Sequence, residues 1–111
     1  MVWINLTSEE QLQEIKNKST YKPQVIFKHS SRCSLSNVAK NRLDKVSPPA
    51  GIDFYFLDLI KHRDISNKIS REFNVYHESP QVLLIKNGES VYDESHTAIN
   101  MQEITAHAFA A

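Results

Sequence analysis

The segment that joins a predicted strand to a predicted helix is Lys28-His29-Ser30-Ser31-Arg32-Cys33-Ser34-Leu35-Ser36. It follows an apolar, strand-like run at 24–27 and precedes a helical pattern at 37–46. Cys33 is the only cysteine of the chain and therefore lies where a strand ends and a helix begins. A thiol in the first turn of a helix faces unpaired backbone N–H groups and the positive end of the helix dipole, which stabilise a thiolate over a thiol. This position predicts a reactive cysteine.

Several neighbours of Cys33 favour the same chemistry. Ser30 and Ser31 are of a type preferred as helix N-caps, because the hydroxyl accepts a hydrogen bond from a free amide of the first turn. Four further residues are candidates to support the thiolate, three by positive charge and one by a hydrogen bond: Lys28, His29, Arg32 and Ser36. The alternative for Cys33 is an inert thiol, since a free cysteine often behaves as a small buried hydrophobe.

The bulk composition is that of an ordinary globular protein with one core. The chain has 111 residues, of which 41% are hydrophobic and 23% charged, and we expect residues 1–111 to form a single domain. Lys+Arg and Asp+Glu each number 13, so the formal net charge is zero and no nucleic-acid surface is predicted. Because no apolar run approaches the ~20 residues that span a bilayer, we expect no membrane segment.

The redox compartment follows from the cysteine count. A single cysteine cannot form a disulfide within the chain. Residues 1–5 lack the basic region and long apolar core of a signal peptide. Together these features predict a protein of the reducing cytoplasm. No two of the five histidines lie within five positions of each other, so we expect no metal site.

Apolar runs and turn signals predict an order of elements. Strands are expected at 2–4, 24–28, 53–59, 81–86 and 90–94, and helices separate all of them except the last two. Asn87-Gly88 between those two strands is a strong hairpin signal. The order is therefore β-α-β-α-β-α-β-β-α, which predicts an α/β fold whose mixed sheet carries helices on both faces.

Local signals predict where the helices begin and what they bury. Thr7 with Glu10 forms a capping box before the first helix, Asp64 is a good N-cap for the third, and Asn100 with Glu103 can cap the last. The predicted buried positions are Leu12 and Ile15, then Val38, Ala39, Leu43 and Val46 with Arg42 at the margin, then Ile65, Ile69 and Phe73, and finally Met101, Ile104, Thr105 and Ala108.

Three features in this order resemble the thioredoxin fold. Cys33 stands at the start of the helix after the second strand, and Ser79-Pro80 opens the fourth strand, where that family places a cis-proline facing the active site. The run from Pro80 to Glu89 is similar to the proline-to-hairpin segment of many thioredoxins. The resemblance covers nearly the whole chain. It implies a thioredoxin-like three-layer α/β/α domain in which Ser79 and Pro80 bind the substrate.

The active-site motif departs from thioredoxin in one informative way. Thioredoxins carry Cys-x-x-Cys, whereas this chain has Cys33-Ser34-Leu35-Ser36, with serine in the resolving position. Serine cannot form a disulfide, so a dithiol mechanism within one molecule is impossible. A monothiol mechanism remains, because one thiolate suffices to attack a mixed disulfide and an external thiol can resolve the adduct.

Lys28-His29-Ser30 followed by Cys33-x-x-Ser36 is similar to the monothiol bacilliredoxin family, also called bacillithiol-system redox-active or general stress proteins. That family commonly shows Thr-Cys-Pro-Ile-Ser around the thiol, where this chain has Arg32-Cys33-Ser34-Leu35-Ser36. The resemblance implies removal of a low-molecular-weight thiol from S-thiolated cytoplasmic proteins. Bacillithiol or glutathione would be the co-substrate, with no bound cofactor.

Two other functions stay open at this point. One is a redox-inactive thioredoxin-like interaction or stress-response module with an unperturbed thiol. The other is an oxyanion chemistry similar to that of arsenate reductases, which calls for further basic residues around the cysteine. His77, like His29, is a possible neighbour of the site, although either can be an ordinary structural histidine.

Overall fold

A computed structural model describes residues 1–110 and shows five strands and four helices among them. The strands are β1 (Ile4–Asn5), β2 (Gln24–His29), β3 (Asp53–Asp58), β4 (Gln81–Lys86) and β5 (Glu89–Ser95). The helices are α1 (Glu10–Lys18), α2 (Ser34–Asp44), α3 (Arg63–Phe73) and α4 (Met101–Ala108), and a single 3-10 turn (His96–Ala98) precedes α4. The predicted order of strands and helices is confirmed.

The strands form one mixed sheet in the order β1-β3-β2-β4-β5. β1 and β2 each run parallel to β3, whereas β4 runs antiparallel to β2 and β5 antiparallel to β4. Asn87 and Gly88 both have positive φ, as the predicted two-residue hairpin between β4 and β5 requires. The helices α2 and α4 cover one face of the sheet and α1 and α3 the other. This confirms the thioredoxin-like three-layer α/β/α architecture.

The central strand β2 is buried along its whole length, because helices cover both of its faces. Val25 and Phe27 belong to the core shared with α2 and α4, whereas Ile26 belongs to the core shared with α1 and α3. Since successive side chains of a strand point to opposite faces, Lys28 lies on the α1/α3 side and His29 on the α2/α4 side. This alternation fixes which charged side chain of the motif approaches which helix.

The helix α2 begins earlier than predicted. It starts at Ser34 rather than at Asn37, and Cys33 itself is the N-cap residue, with extended backbone angles (φ −110°, ψ 118°). Ser30 and Ser31 therefore do not cap the helix, and that prediction is wrong. The reason is that the turn after β2 already closes at Cys33, whose amide donates to the Ser30 carbonyl at 3.1 Å.

The buried face of α2 is narrower than predicted. Ala39 and Leu43 are buried as expected, and with Ser36 they form a stripe at positions i, i+3 and i+7. Val38 and Val46 were predicted on this face but are 50% and 46% exposed. Val38 lies two residues past Ser36, about 200° around the helix, and therefore points away from the sheet.

Two other predicted helix starts are wrong and one is confirmed. Before α1, the free amides of Thr7 and Ser8 donate to Gln11 Oε1, at 2.7 Å and 3.0 Å. The predicted capping box of Thr7 and Glu10 therefore does not form.

The N-cap of α3 is His62, which leaves Asp64 inside the first turn. At α4, Asn100 accepts from the Glu103 amide at 2.9 Å as predicted. The three buried residues predicted for α3 are confirmed.

We expect Leu43→Ala to lower the free energy of unfolding by about 3 kcal/mol, because this side chain is 1% exposed and its truncation leaves a cavity under α2. Urea unfolding followed by circular dichroism measures the change. Leu35→Ala in the same helix is the matched control, because Leu35 is 44% exposed and its truncation should cost less than about 0.5 kcal/mol. Equal losses from the two variants would contradict the packing described for α2.

Candidate active site

The thiol of Cys33 lies at the N-terminus of α2, beside the end of β2. The Cys33 carbonyl accepts from the amides of Ser36 (3.1 Å) and Asn37 (3.3 Å), so the chain enters the helix directly at the cysteine. Cys33 is partly exposed, in contrast to the fully buried strand that precedes it. An external sulfur atom can therefore reach the thiol.

Hydrogen bonds from the first turn of α2 lower the pKa of Cys33. The largest effect comes from the backbone N–H of Ser36, and the backbone N–H of Leu35 and the Ser36 hydroxyl act in the same direction. Partial desolvation raises the pKa, but less than these donors lower it. The lowered pKa agrees with the prediction that a helix N-terminus stabilises the thiolate. The predicted hydrogen bond from the Ser36 hydroxyl is one of the causes of the lowered pKa.

Ser36 is a fixed, fully buried side chain. Its Oγ accepts from the Ser30 amide at 3.3 Å and lies 3.5 Å from the Oγ of Ser79. The Ser79–Pro80 peptide bond is cis, as the resemblance to thioredoxins implies. The structure thus brings together Cys33, Ser36 and the Ser79–Pro80 pair. The role of that pair in binding a substrate stays a prediction.

Three hydrogen bonds hold the segment that leads to Pro80. Gln81, the first residue of β4, donates from Nε2 to the Tyr76 carbonyl at 2.9 Å and accepts from the Glu78 amide at 3.4 Å. The amide of His96 donates to the Pro80 carbonyl at 3.1 Å. The cis-proline therefore has a defined position next to α2.

His29 lies on the α2 side of the sheet but is engaged in packing. Its Nε2 is 3.1 Å from Asn37 Oδ1, and its ring centre is 5.1 Å from that of Phe56. Burial lowers the pKa of His29, so the ring is neutral at neutral pH. The prediction that His29 adds positive charge near the thiol is therefore wrong at that pH. The ring instead ties β2 to the first turns of α2.

Lys28 points away from the thiol. It is completely buried on the α1/α3 side of the sheet, where its Nζ lies 3.2 Å from Ser70 Oγ, 3.4 Å from the Ser66 carbonyl and 3.4 Å from His77 Nδ1. The prediction that Lys28 places its charge beside Cys33 is wrong, because strand alternation sends it to the opposite face. Burial lowers the pKa of Lys28 to about 8.

Arg32 and His77 complete the predicted set. Arg32 precedes the thiol and is exposed, and the groups that shift the pKa of Cys33 do not include its guanidinium. Its part in meeting a carboxylate of the substrate stays a prediction. His77 directs Nδ1 toward Lys28 and Ser66, so these contacts lie on the α1/α3 side of the sheet, which we call the side beneath it.

Sequence reasoning missed the partners of the two basic residues. Asn37 binds His29, and Ser66 and Ser70 surround Lys28. A signal for the second group was present: a lysine in a strand buried on both faces needs acceptors, and two serines spaced i, i+4 flank the apolar stripe of α3. For Asn37, an exposed residue in a first turn, the sequence holds no such signal.

Residues 1–110 contain no helix with both the length and the apolar character needed to cross a bilayer. Within the same residues, no cluster of three or more His, Cys, Asp or Glu side chains is arranged to hold a metal ion.

Comparison with known proteins connects this geometry to a family. Residues 4–104 match the family model described as monothiol bacilliredoxin BrxC. A solved structure described as a proposed oxidoreductase with a thioredoxin fold is 32% identical in sequence, with a TM-score of 0.83 over 96% of this chain and 93% of that one.

Two thioredoxins of known structure share the fold at low sequence identity. The thioredoxin Mala s 13 of Malassezia sympodialis is 18% identical, with a TM-score of 0.74 over 96% of this chain and 91% of its own. Thioredoxin f2 of Chlamydomonas reinhardtii is 13% identical, with a TM-score of 0.72 over 95% and 92%. At this distance the likeness shows the fold alone.

We expect Ser36→Ala to raise the pKa of Cys33 by about one unit, because a hydrogen bond to a charged group is worth about 1.5–3 kcal/mol and one pKa unit corresponds to about 1.4 kcal/mol. Below its pKa the thiol would then be about tenfold less ionised. The rate of alkylation by iodoacetamide as a function of pH measures the midpoint. Ser34→Ala is the control, because Ser34 is exposed and does not contribute to the pKa of Cys33. Equal midpoints for the two variants would contradict the assignment.

Proposed function

Because this chain belongs to the monothiol bacilliredoxin family, we propose that it removes bacillithiol from S-thiolated proteins of the cytoplasm through a mixed disulfide at Cys33. The family and the similar oxidoreductase structure make it a thiol–disulfide oxidoreductase. The identity of the small thiol, the protein substrates and the compartment are the parts that we propose.

One observation carries the proposal: a partly exposed thiol of lowered pKa has a serine where a dithiol enzyme has its second cysteine. A lowered pKa increases the thiolate fraction near neutral pH, and the thiolate is the attacking species. With Ser36 in the resolving position, the enzyme cannot close its own disulfide. The mixed disulfide at Cys33 must therefore be resolved by the thiol of another molecule.

The exchange is balanced without any bound cofactor. The Cys33 thiolate attacks the small-thiol sulfur of a protein–S–S–R disulfide, so that the Cys33–S–S–R bond forms and the protein leaves as a thiolate. A second small thiol, R′SH, then attacks the adduct as its thiolate and releases R–S–S–R′ and the Cys33 thiolate. One disulfide is exchanged in each step, and the reducing electrons come from the small thiols.

Two features support the binding of a small thiol, and the first of them favours a thiol that carries carboxylates. Arg32 is exposed immediately before Cys33, and a guanidinium can bind a carboxylate through two parallel hydrogen bonds. Ser79 and Pro80 lie beside the first turn of α2, where they would hold the rest of the thiol or the backbone of the S-thiolated protein. Bacillithiol and glutathione both have such carboxylates, and we propose bacillithiol because of the family.

Intact mass spectrometry tests the exchange directly. Reduced protein is mixed at neutral pH with a peptide that carries a bacillithiol or a glutathione mixed disulfide. We expect the wild type to gain the mass of bacillithiol while the peptide is freed, and to react more slowly with the glutathione disulfide. Cys33→Ser should do neither, because it lacks the only thiol of the chain.

The same measurement can overturn the proposal in two ways. A wild type that stays unmodified with both disulfides would overturn the exchange activity and favour the alternative, a redox-inactive binding module. Faster reaction with the glutathione disulfide would replace bacillithiol as the co-substrate and leave the monothiol mechanism standing.

We expect Arg32→Gln to slow exchange with the bacillithiol disulfide about two- to fivefold, because an exposed ion pair is worth at most about 1 kcal/mol. Stopped-flow or quenched mass spectrometry gives the rate constants. A cysteamine mixed disulfide, which has no carboxylate, should react at an unchanged rate. Arg71→Gln is the control variant, since Arg71 is an exposed arginine of α3 on the other face of the sheet. Equal slowing with both disulfides would contradict the assigned contact.

A further inference from the structure

The buried ammonium group of Lys28 is a part of the motif that the exchange mechanism does not use. Lys28 is 0% exposed, and the acceptors around its Nζ are all uncharged: a carbonyl, a hydroxyl and an imidazole. No carboxylate of residues 1–110 forms an ion pair with it. A charge buried without a counterion is costly, so its three N–H groups depend on these three acceptors.

Only one of these acceptors lies outside α3. Ser66 and Ser70 belong to that helix, whereas His77 belongs to the segment that leads to the cis-proline. His77 Nδ1 also lies 3.4 Å from the Ser66 hydroxyl. Lys28 therefore joins three elements at one point: the strand β2, the helix α3 and the segment 77–80.

His77 is exposed overall, but its surroundings favour the neutral form of the ring. Burial lowers the pKa of His77 most, and the positive charges of Lys28 and Arg63 lower it further, while Glu78 acts in the opposite direction. The neutral ring accepts at Nδ1 from the ammonium group when its proton is on Nε2. The first residue of the segment 77–80 is thus tied to a group buried beneath the sheet.

The other end of the same segment reaches Ser36, one of the groups that lower the pKa of the thiol. Ser79 Oγ lies 3.5 Å from Ser36 Oγ, a long hydrogen bond, and Ser36 also accepts from the Ser30 amide. A hydroxyl has two lone pairs and one hydrogen. If Ser30 and Ser79 both donate to Ser36, the hydrogen of Ser36 is left for the Cys33 thiolate, which is the direction in which Ser36 lowers the thiol pKa.

We propose that Lys28 is a positioning residue for the thiol: it holds His77 from beneath the sheet and thereby keeps Ser79 where its hydroxyl donates to Ser36 and directs the hydrogen of Ser36 to Cys33. Lys28 contacts neither the Cys33 thiol nor Ser36, and it acts through the segment 77–80. The inference rests on the proposed use of Cys33 as the nucleophile.

The test is the pKa of Cys33 in the full chain, measured from the pH dependence of alkylation by iodoacetamide. Lys28→Met should raise this pKa by about one unit, which is about a tenfold fall in thiolate at a pH below it. Ser79→Ala should raise it by a similar amount. The double variant should raise it no further than Ser79→Ala alone, because both changes remove the same contact.

Lys68→Met is the matched control. Lys68 is a lysine of α3 that pairs with Glu9 at 3.3 Å, far from the segment 77–80 in its contacts. It should leave the pKa of Cys33 unchanged. A purely structural role of Lys28 would lower the stability of the fold in urea and leave the alkylation midpoint where it is.

Three results would overturn the inference: an unchanged midpoint in Lys28→Met, an unchanged midpoint in Ser79→Ala, or additive shifts in the double variant. If Lys28→Met does not fold, His77→Ala carries the same prediction, since it removes the anchored end of the segment and keeps the lysine. Alkylation needs no mixed disulfide, so failure here is separate from failure of the exchange reaction in the wild type.

Discussion

Burial of β2 on both faces is the constraint from which the site follows. Helices cover each side of this strand, so each of its side chains must pack against, or hydrogen-bond to, groups of the helix layer that it faces. Alternation sends Lys28 to one layer and His29 to the other, and neither side chain is left for the solvent. The strand then ends beside α2, and Cys33 lies at the start of that helix after a short, mostly exposed turn.

At that point the fold supplies hydrogen-bond donors instead of full charges. The pKa of Cys33 is lowered by the amides of Ser36 and Leu35 and by one hydroxyl, all within the first turn of α2. The two amides are fixed by the helix itself and need no mobile lysine or arginine. Ser36 thus occupies the place of a resolving cysteine but offers the sulfur a hydrogen bond in place of a covalent partner.

The order of strands and helices could be predicted from the sequence because its signals are local. Apolar runs indicate buried strands, and Asn87-Gly88 and the prolines indicate where elements end. It was less reliable where local signals compete. Thr7 was a plausible cap, yet Gln11 captured the free amides before α1. The error for Lys28 has another cause: Lys28 is close to Cys33 in sequence, but successive side chains of a strand point to opposite faces, and the Lys28 side chain lies on the α1/α3 side. Its partners on α3 lie 38 and 42 positions away.

The burial of Lys28 is better explained by a functional requirement than by its contribution to stability. An apolar residue of similar volume is often as stabilising in such a place as a buried charge, which pays a desolvation cost. A lysine that meets three neutral acceptors is therefore weak evidence for stability and better evidence for a requirement on geometry. Of those acceptors, His77 is the one whose position is not already set by α3. The geometry that Lys28 constrains is thus that of the segment entering the cis-proline, two residues before the hydroxyl that meets Ser36.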